Sequence, residues 1–390
     1  MRKFSLLLLL LLLLAMGSVV AAQDMPCGTL AEADCTFLTD SAAAMATVDS
    51  ATFTLDLTIT TSDGEDETST TTISGGGAFN GATGLVGVGM MGMMTNPSSA
   101  TDPTSMLGGL TEGLADFDGE INLIITSSEE DEPTDLQLRL VDGFGYINFD
   151  ALGLSGDDDD DSSSGTGRGL NLSGWGGVNL IELITRAAEE LPEGAMDGAM
   201  GGMMGGMAGV GNNPQLPEGF DPELMSSAIV ITRLPDEEFN GVTVAVFQTT
   251  LDLASVMSDP AMIEAIQQQM AENMPADQEM TPEQSQQMMQ GMMALYEGMN
   301  FSVITRIGID DHYIRSIEAN MSMDMSGMAA AAPADASVSN GSFSLAFSLT
   351  MDQFNEPQTI TAPEEPNIVE VDDLLQMMRF FMAPRPARGS

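Results

Sequence analysis

The side chains in this sequence that could do catalytic chemistry are few. The only histidine, His312, lies in the acidic turn Asp310-Asp311-His312. A catalytic histidine needs a nucleophile in reach and a partner that orients its ring. The sequence has no Gly-x-Ser-x-Gly elbow, P-loop or dinucleotide fingerprint. We therefore interpret His312 as an exposed turn residue, and we predict a protein that is not an enzyme and uses no cofactor.

Carboxylates are so abundant that they define no site by themselves. The chain has 58 acidic residues against 11 lysines and arginines, a net charge of −47. Any two carboxylates could then be paired as a glycosidase dyad. The run Asp157–Asp161 lacks the ligand spacing and helical flanks of an EF-hand, so we interpret it as a solvated loop, with weak calcium binding as the alternative. Such a charge repels nucleic acid and anionic membrane surfaces, and we expect no nucleic-acid partner.

Methionine is the compositional anomaly, with 33 residues. The stretch Met321-Ser322-Met323-Asp324-Met325 resembles Met-x-Met copper sequences, because thioethers are soft ligands that suit Cu(I). The same methionines continue the odd-numbered face of Tyr313 and Ile317, which favours one side of a strand. Thioether side chains fill irregular space and adapt to varied apolar ligands. We predict core or cavity lining and no metal site, and copper binding stays as an alternative.

The N-terminus has the pattern of a secretory leader. Arg2 and Lys3 precede the apolar segment Phe4–Met16, and small residues follow at Val20-Ala21-Ala22. The apolar segment is too short to span a bilayer. We predict a signal peptide over residues 1–22 and a secreted or periplasmic, extracytoplasmic protein that does not span the membrane after cleavage.

Two cysteines, Cys27 and Cys35, lie in the segment 23–48 that follows the leader. In an exported chain two closely spaced cysteines favour a disulfide over a metal or catalytic role, and no histidine lies nearby. We predict that Cys27 and Cys35 are bonded to each other.

Alternating apolar residues predict strands on both sides of a Met/Gln-rich helical region. The turn pairs Asp142-Gly143 and Asn240-Gly241 predict tight antiparallel hairpins, because Asn, Asp and Gly tolerate positive φ. The predicted strands are Thr52–Thr60, Ser69–Phe79, Ile121–Ile125, Leu136–Leu140, Phe144–Phe149, Ile229–Thr232, Val242–Leu251, Phe301–Ile309, Tyr313–Met325 and Phe343–Met351. They predict one curved antiparallel sheet.

Helical spacing and capping signals predict the elements that cover this sheet. The capping box at Thr281 starts a helix over Pro282–Gly298. The other predicted helices are Leu38–Ala46, Gly177–Leu191, Asp259–Asn273 and the amphipathic Val371–Met382 of the C-terminal segment 367–390. The Gly/Met-rich stretches 81–111 and 192–217 are predicted to be insertions or loops.

Three stretches together resemble one family. They are the block Asp118–Trp175 with its Val141-Asp142-Gly143-Phe144 turn, Phe239-Asn240-Gly241-Val242, and Phe354-Asn355-Glu356-Pro357 running to Pro363. Their order is similar to the LppX/LprG-like branch of the LolA-like lipoprotein-carrier superfamily, over a domain of residues 49–366. The resemblance implies an α+β fold: a strongly curved antiparallel half-barrel with helices covering its concave face. It also implies an apolar cavity that accepts acyl chains, and no catalytic residues. The chain departs from the family in having no evident lipobox.

On this basis we predict that the protein binds a lipid or other apolar molecule between sheet and helices. The alternatives are an extracytoplasmic structural or interaction module without a ligand, and a Met-rich copper-binding protein. We expect the inward-facing residues of Phe53–Ile59 at one end of the sheet and those of Phe343–Leu349 at the other. The Met-bearing helix Pro282–Gly298 is expected to lie across both. The predicted ligand-lining residues are Phe53, Leu55, Leu57, Ile59, Met288, Met292, Leu295, Met321, Met323, Phe343, Leu345, Phe347 and Leu349.

Overall fold

The computed structural model describes residues 27, 30–62, 64, 68–85, 103–129, 132–152, 173–190, 228–252, 298–324, 341–373 and 375. These residues form one sheet of 12 strands with short helices beside it. The strands are β1 (Ala51–Ser62), β2 (Thr68–Asn80), β3 (Asp118–Ser127), β4 (Thr134–Val141), β5 (Phe144–Asn148), β6 (Trp175–Asn179), β7 (Ile229–Phe239), β8 (Val242–Leu251), β9 (Met299–Gly308), β10 (Ile314–Asp324), β11 (Ser342–Asp352) and β12 (Asn367–Ile368). The helices are α1 (Glu32–Met45), α2 (Ala82–Leu85), α3 (Pro103–Asp116) and α4 (Leu180–Glu190).

The strand order is β12-β6-β5-β4-β3-β2-β1-β11-β10-β9-β8-β7. The chain starts in the middle of the sheet and builds outward to β6, then starts again at the other edge with β7 and returns to the middle with β11. Strands β1 and β11 therefore pair and join the two halves. Neighbours are antiparallel except β12, which pairs with β6 in parallel.

Tight turns join the hairpins as the sequence predicted. Asp142 and Gly143 have φ of 51° and 75°, and Asn240 and Gly241 have φ of 50° and 80°. Two successive positive φ values match the right-handed twist of the flanking strands, which is why these residue pairs are favoured there. Both predicted hairpins are confirmed.

The two faces of the sheet differ in chemistry. One, which we call the apolar face, carries the odd-numbered residues of β1 and β11 and their cross-strand partners, and it holds two hydrophobic core clusters. The other, the polar face, carries the alternate residues, which in β1 and β11 are mostly serine and threonine. Because side chains alternate between faces, this period of two fixes the register.

Helix α1 covers one end of the apolar face. Its Phe37, Leu38 and Met45 pack against the cluster that includes Phe247 and Ile307. An ion pair between Arg233 and Asp34 (3.6 Å) ties the helix to β7. Covering one apolar face with helices is the general solution for a sheet with a single hydrophobic side.

Residues 353–366 cross the polar face after β11 and lead the chain to β12. Asn80 in β2 exchanges two hydrogen bonds with the Gln358 backbone, at 2.9 and 2.8 Å. Arg139 in β4 donates to the Thr361 carbonyl (3.0 Å), and Ile360 packs with Ala78, Val141 and Tyr146 in a third hydrophobic cluster. This segment, which we call the strap, covers the β2–β6 part of the polar face.

Several predictions about the fold were wrong. The fold is mainly β, and its single sheet is open at both edges and not strongly curled. The predicted half-barrel is therefore wrong. Helix α1 starts earlier than predicted, at Glu32, and the stretch 81–111 contains helical residues rather than only a loop. Residues 177–179 belong to β6, because the cross-strand ladder from Tyr146 and Gly145 extends to them before α4 begins. The predicted helix Asp259–Asn273 and the stretch 192–217 lie outside the described residues.

Candidate ligand-binding face

A continuous row of apolar side chains runs across the middle of the apolar face. Phe347 lies opposite Leu57, and Leu57 lies opposite Ile73, so three strands contribute to one line. The adjacent row places Leu349 beside Leu55. Leu55 and Leu57 are each 1% exposed. Leu55, Leu57 and Ile73 are therefore the buried centre of the sheet, and the partly exposed Phe347 packs against both core clusters.

The apolar face continues beyond this buried centre toward one end of the strands. There Leu345 lies between Ile59 and Met321, and Met321 lies opposite Phe301. The next row places Met323 between Phe343 and Met299. All of these side chains are partly exposed, as Phe347 is, whereas Leu55, Leu57 and Leu349 are buried. We call this set the apolar end; its members are Ile59, Met299, Phe301, Met321, Met323, Phe343 and Leu345.

The structure divides the predicted lining residues between these two regions. Leu55, Leu57, Phe347 and Leu349 belong to the centre, with Phe53 packed against the α1 cluster, whereas the other five that are described belong to the apolar end. The two strand runs do not lie at opposite ends of the sheet as predicted; β1 and β11 are direct neighbours. Met288, Met292 and Leu295 lie outside the described residues.

Met299 and Phe301 were not among the predicted ligand-lining residues. The alternation Phe301, Val303, Thr305, Ile307 was visible as a strand signal, and it places Phe301 on the same face as Val303. The sequence predicted that these two strands form a hairpin but not their register: the ladder from Met323 to Met299 shows that the two methionines share a face.

His312 lies in the turn between β9 and β10, but it is not the exposed residue that was predicted. Its ring centroid is 4.7 Å from that of Phe37 in α1, and its side chain is partly buried. The described part of the chain offers no hydrogen-bond partner to Nδ1. His312 thus packs under α1, and its backbone has a φ of 61°.

The described arginines serve the scaffold. Arg306 contacts both Glu237 and Glu318 and stacks over Phe239, with 14% of its side chain exposed. Burial lowers the pKa of Arg306, but hydrogen bonds to the two carboxylates outweigh this effect and raise it. Arg139, Arg186, Arg233 and Arg315 each have a carboxylate partner as well. Within the described ranges, no arginine is left as a free cation for an anionic ligand.

Cys27 and Cys35 form a disulfide, as predicted, which fastens the preceding chain to α1. Among the described residues no group of three or more His, Cys, Asp or Glu side chains is arranged to hold a metal ion. The described helices include none that is long and apolar enough to cross a membrane.

A cleft lies over the polar face. It has a volume of about 550 Å³ and extends over β1 and β8–β11. One cross-strand row, Thr58, Ala346, Asn320, Ser302 and Thr250, forms its length. A second row adds Ser344, Ser322 and Asn300. Met299, Phe301, Met321 and Leu345 of the apolar end also belong to the lining of the cleft. The side chains of the two polar rows alternate with theirs along the same strands and point to the other face of the sheet.

No protein-family model and no curated protein matches this chain. Solved structures to which it is similar include lipoprotein LppX of Mycobacterium tuberculosis, at 10% identity and a TM-score of 0.22, with 84% of this chain and 100% of that chain covered. LprF of Mycobacterium bovis matches at 10% identity and a TM-score of 0.26, covering 84% and 95%. A putative outer membrane lipoprotein-sorting protein domain of Vibrio parahaemolyticus matches at 8% identity and a TM-score of 0.16, covering 83% and 93%.

Proposed function

We propose that this protein is an exported, non-catalytic binder of a lipid or other apolar molecule, held at the apolar end of the sheet. The observation that carries the proposal is the change in burial along one face: apolar side chains continue from the buried centre at Leu55 to the partly exposed Leu345, Met321 and Phe301. A surface that stays apolar where the core cluster ends is a default site for an apolar ligand.

The residue types at this end support a ligand of variable shape. Met299, Met321 and Met323 bring three thioethers to one face, and thioether side chains repack around different apolar groups. Phe301 and Phe343 add large apolar surfaces. The leader predicted over residues 1–22 supports an extracytoplasmic location for this binding.

Native mass spectrometry of protein exported by its own host tests the proposal. Wild-type protein should carry an additional mass that organic extraction identifies as a lipid. Leu345→Trp should fill the apolar end and remove that mass. Ile124→Trp is the matched control, because Ile124 is an apolar side chain 49% exposed on the polar face. A wild-type protein without bound mass, or equal loss in both variants, contradicts the proposal.

A structural or interaction module without a ligand is the second candidate, and the packing of the centre favours it. Leu55, Leu57 and Leu123 are each 1% exposed, as in a filled core. If the apolar end were equally filled, Leu345→Trp would overpack it and destabilise the fold instead of displacing a ligand.

A further inference from the structure

Among the described residues, the lining of the polar-face cleft contains no charged side chain, in a chain whose net charge is −47. Its polar side chains are hydroxyls and amides: Thr58, Thr250, Asn300, Ser302, Asn320, Ser322 and Ser344. Carboxylates stand outside the lining on the same face of β10 and β1, at Glu318 and Asp56. The acidic surroundings repel anions, and the described part of the lining offers no carboxylate to a cation.

The geometry of the sheet gives the cleft its shape. Ala346 is exposed in the middle of the row, between Thr58 and Asn320, and its short side chain leaves the floor low. The row crosses five neighbouring strands, a length of about 19 Å at the usual strand spacing. The second row runs beside the first at about 7 Å. The cleft is thus an elongated trough with polar side chains along both rows.

From these features we infer that the polar-face cleft binds a neutral, polyhydroxylated ligand, an oligosaccharide chain. Each serine and threonine hydroxyl donates one hydrogen bond and accepts others, and each asparagine amide both donates and accepts. Sugar hydroxyls need that mixture, whereas an ionic ligand needs a counter-charge, and none of the described lining residues supplies one. The polar side chains of this site point to the face opposite the apolar side chains of the proposed lipid site, and the two linings share Met299, Phe301, Met321 and Leu345.

Saturation-transfer difference NMR on the full-length exported protein tests the inference, with maltohexaose, cellohexaose and N-acetylated chitohexaose as probes at millimolar concentration. At least one probe should receive saturation from the protein. Asn320→Leu removes an amide from the cleft, and Asn122→Leu is its control because Asn122 is an exposed asparagine on the same face outside the cleft. Loss of hydrogen bonds to one amide should weaken binding about tenfold.

A second pair of variants tests the shape of the trough. Ala346→Ile should raise the floor and abolish saturation transfer, while Ser348→Ile, two residues along the same strand and face, should leave it unchanged. The inference is overturned if none of the three probes receives saturation, or if both members of a pair behave alike. Lipid content measured on the same variants should stay at the wild-type level, so failure here is distinguishable from failure of the lipid proposal.

Discussion

Leu57 in β1 lies directly opposite Phe347 in β11, so the first and the last long strands of the chain meet in the middle of the sheet. Phe347 packs against both core clusters, and Leu57 is 1% exposed. The two halves of the sheet are therefore joined by one pair of strands, β1 and β11, which lie far apart in the sequence.

Replacing this phenylalanine should show how tightly that junction is packed. Phe347→Trp adds volume where two clusters already meet, so we expect it to lower the free energy of unfolding by about 1–3 kcal/mol. Leu345→Trp, two residues along, should cost less because Leu345 packs against one core cluster whereas Phe347 packs against both. Urea denaturation of both variants measures the difference. Equal costs would mean that the apolar end is packed as densely as the centre.

The alternation in β1 and β11 was enough to predict both strands, because a half-buried strand repeats every two residues within a short window. The turns at Asn240-Gly241 and Asp142-Gly143 were equally local. The pairing of β1 with β11 was not predictable from such windows, since it depends on which distant strand supplies the neighbouring ladder. That pairing decides which candidate residues share a site, and the opposite-ends prediction failed for this reason.

Strands β6 and β12 were missed for a different reason. The β6 sequence Trp175-Gly176-Gly177-Val178 lacks the apolar alternation of a strand, and the two residues of β12 give no pattern. Strand β6 forms by pairing with β5, and β12 pairs with β6 because the strap brings the chain there. The glycines of β6 also allow neighbouring side chains to approach closely: a Cβ on Gly177 would lie 2.7 Å from the Tyr146 ring.

The disulfide should be intact in exported protein. Cys27 and Cys35 are bonded and close a short loop at the start of α1. Alkylation without reductant followed by intact-mass measurement should therefore add no label. A Cys27→Ala/Cys35→Ala variant should lose about 2 kcal/mol, less than for larger loops, because the closed loop is short. Two labelled thiols in the wild-type protein would rule the bond out.

Copper binding is an alternative that the strand register allows, because Met299 lies opposite Met323 on the apolar face. We expect these thioethers to contact apolar groups instead. Titration with Cu(I) should show no tight stoichiometric site that disappears in the Met321→Leu/Met323→Leu/Met325→Leu variant. A site lost in that variant, and retained in one with leucines at three other methionines, would establish copper binding.

Tyr146 should make stability depend on pH in the alkaline range. It is 8% exposed beneath the strap, and burial, followed by the nearby Asp142 charge, raises its pKa above the ordinary 10.0. A raised pKa means that the unfolded chain loses this proton first. The contribution to stability is complete below pH 10 and is lost as the pH rises through the folded-state pKa. Urea denaturation across this range should show a fall that Tyr146→Phe lessens; an identical fall in both proteins would assign it to other groups.

Asn355 fastens the strap to the start of β1, and this gives the Phe354-Asn355-Glu356-Pro357 motif a structural role. Its Oδ1 accepts from the Asp49 backbone N–H (2.7 Å), its Nδ2 donates to the Tyr313 hydroxyl (3.0 Å), and its φ is 57°. Asn355→Ala removes both side-chain hydrogen bonds and leaves an alanine at a positive φ that it rarely adopts. We expect the free energy of unfolding to fall by about 2–3 kcal/mol. Asn355→Gly loses the same bonds but adopts this φ freely, and it should be destabilised less than Asn355→Ala. Chemical denaturation of the two variants separates the backbone effect from the hydrogen bonds. If both are as stable as the wild-type protein, the strap is held by its apolar contacts at Ile360 and not by Asn355.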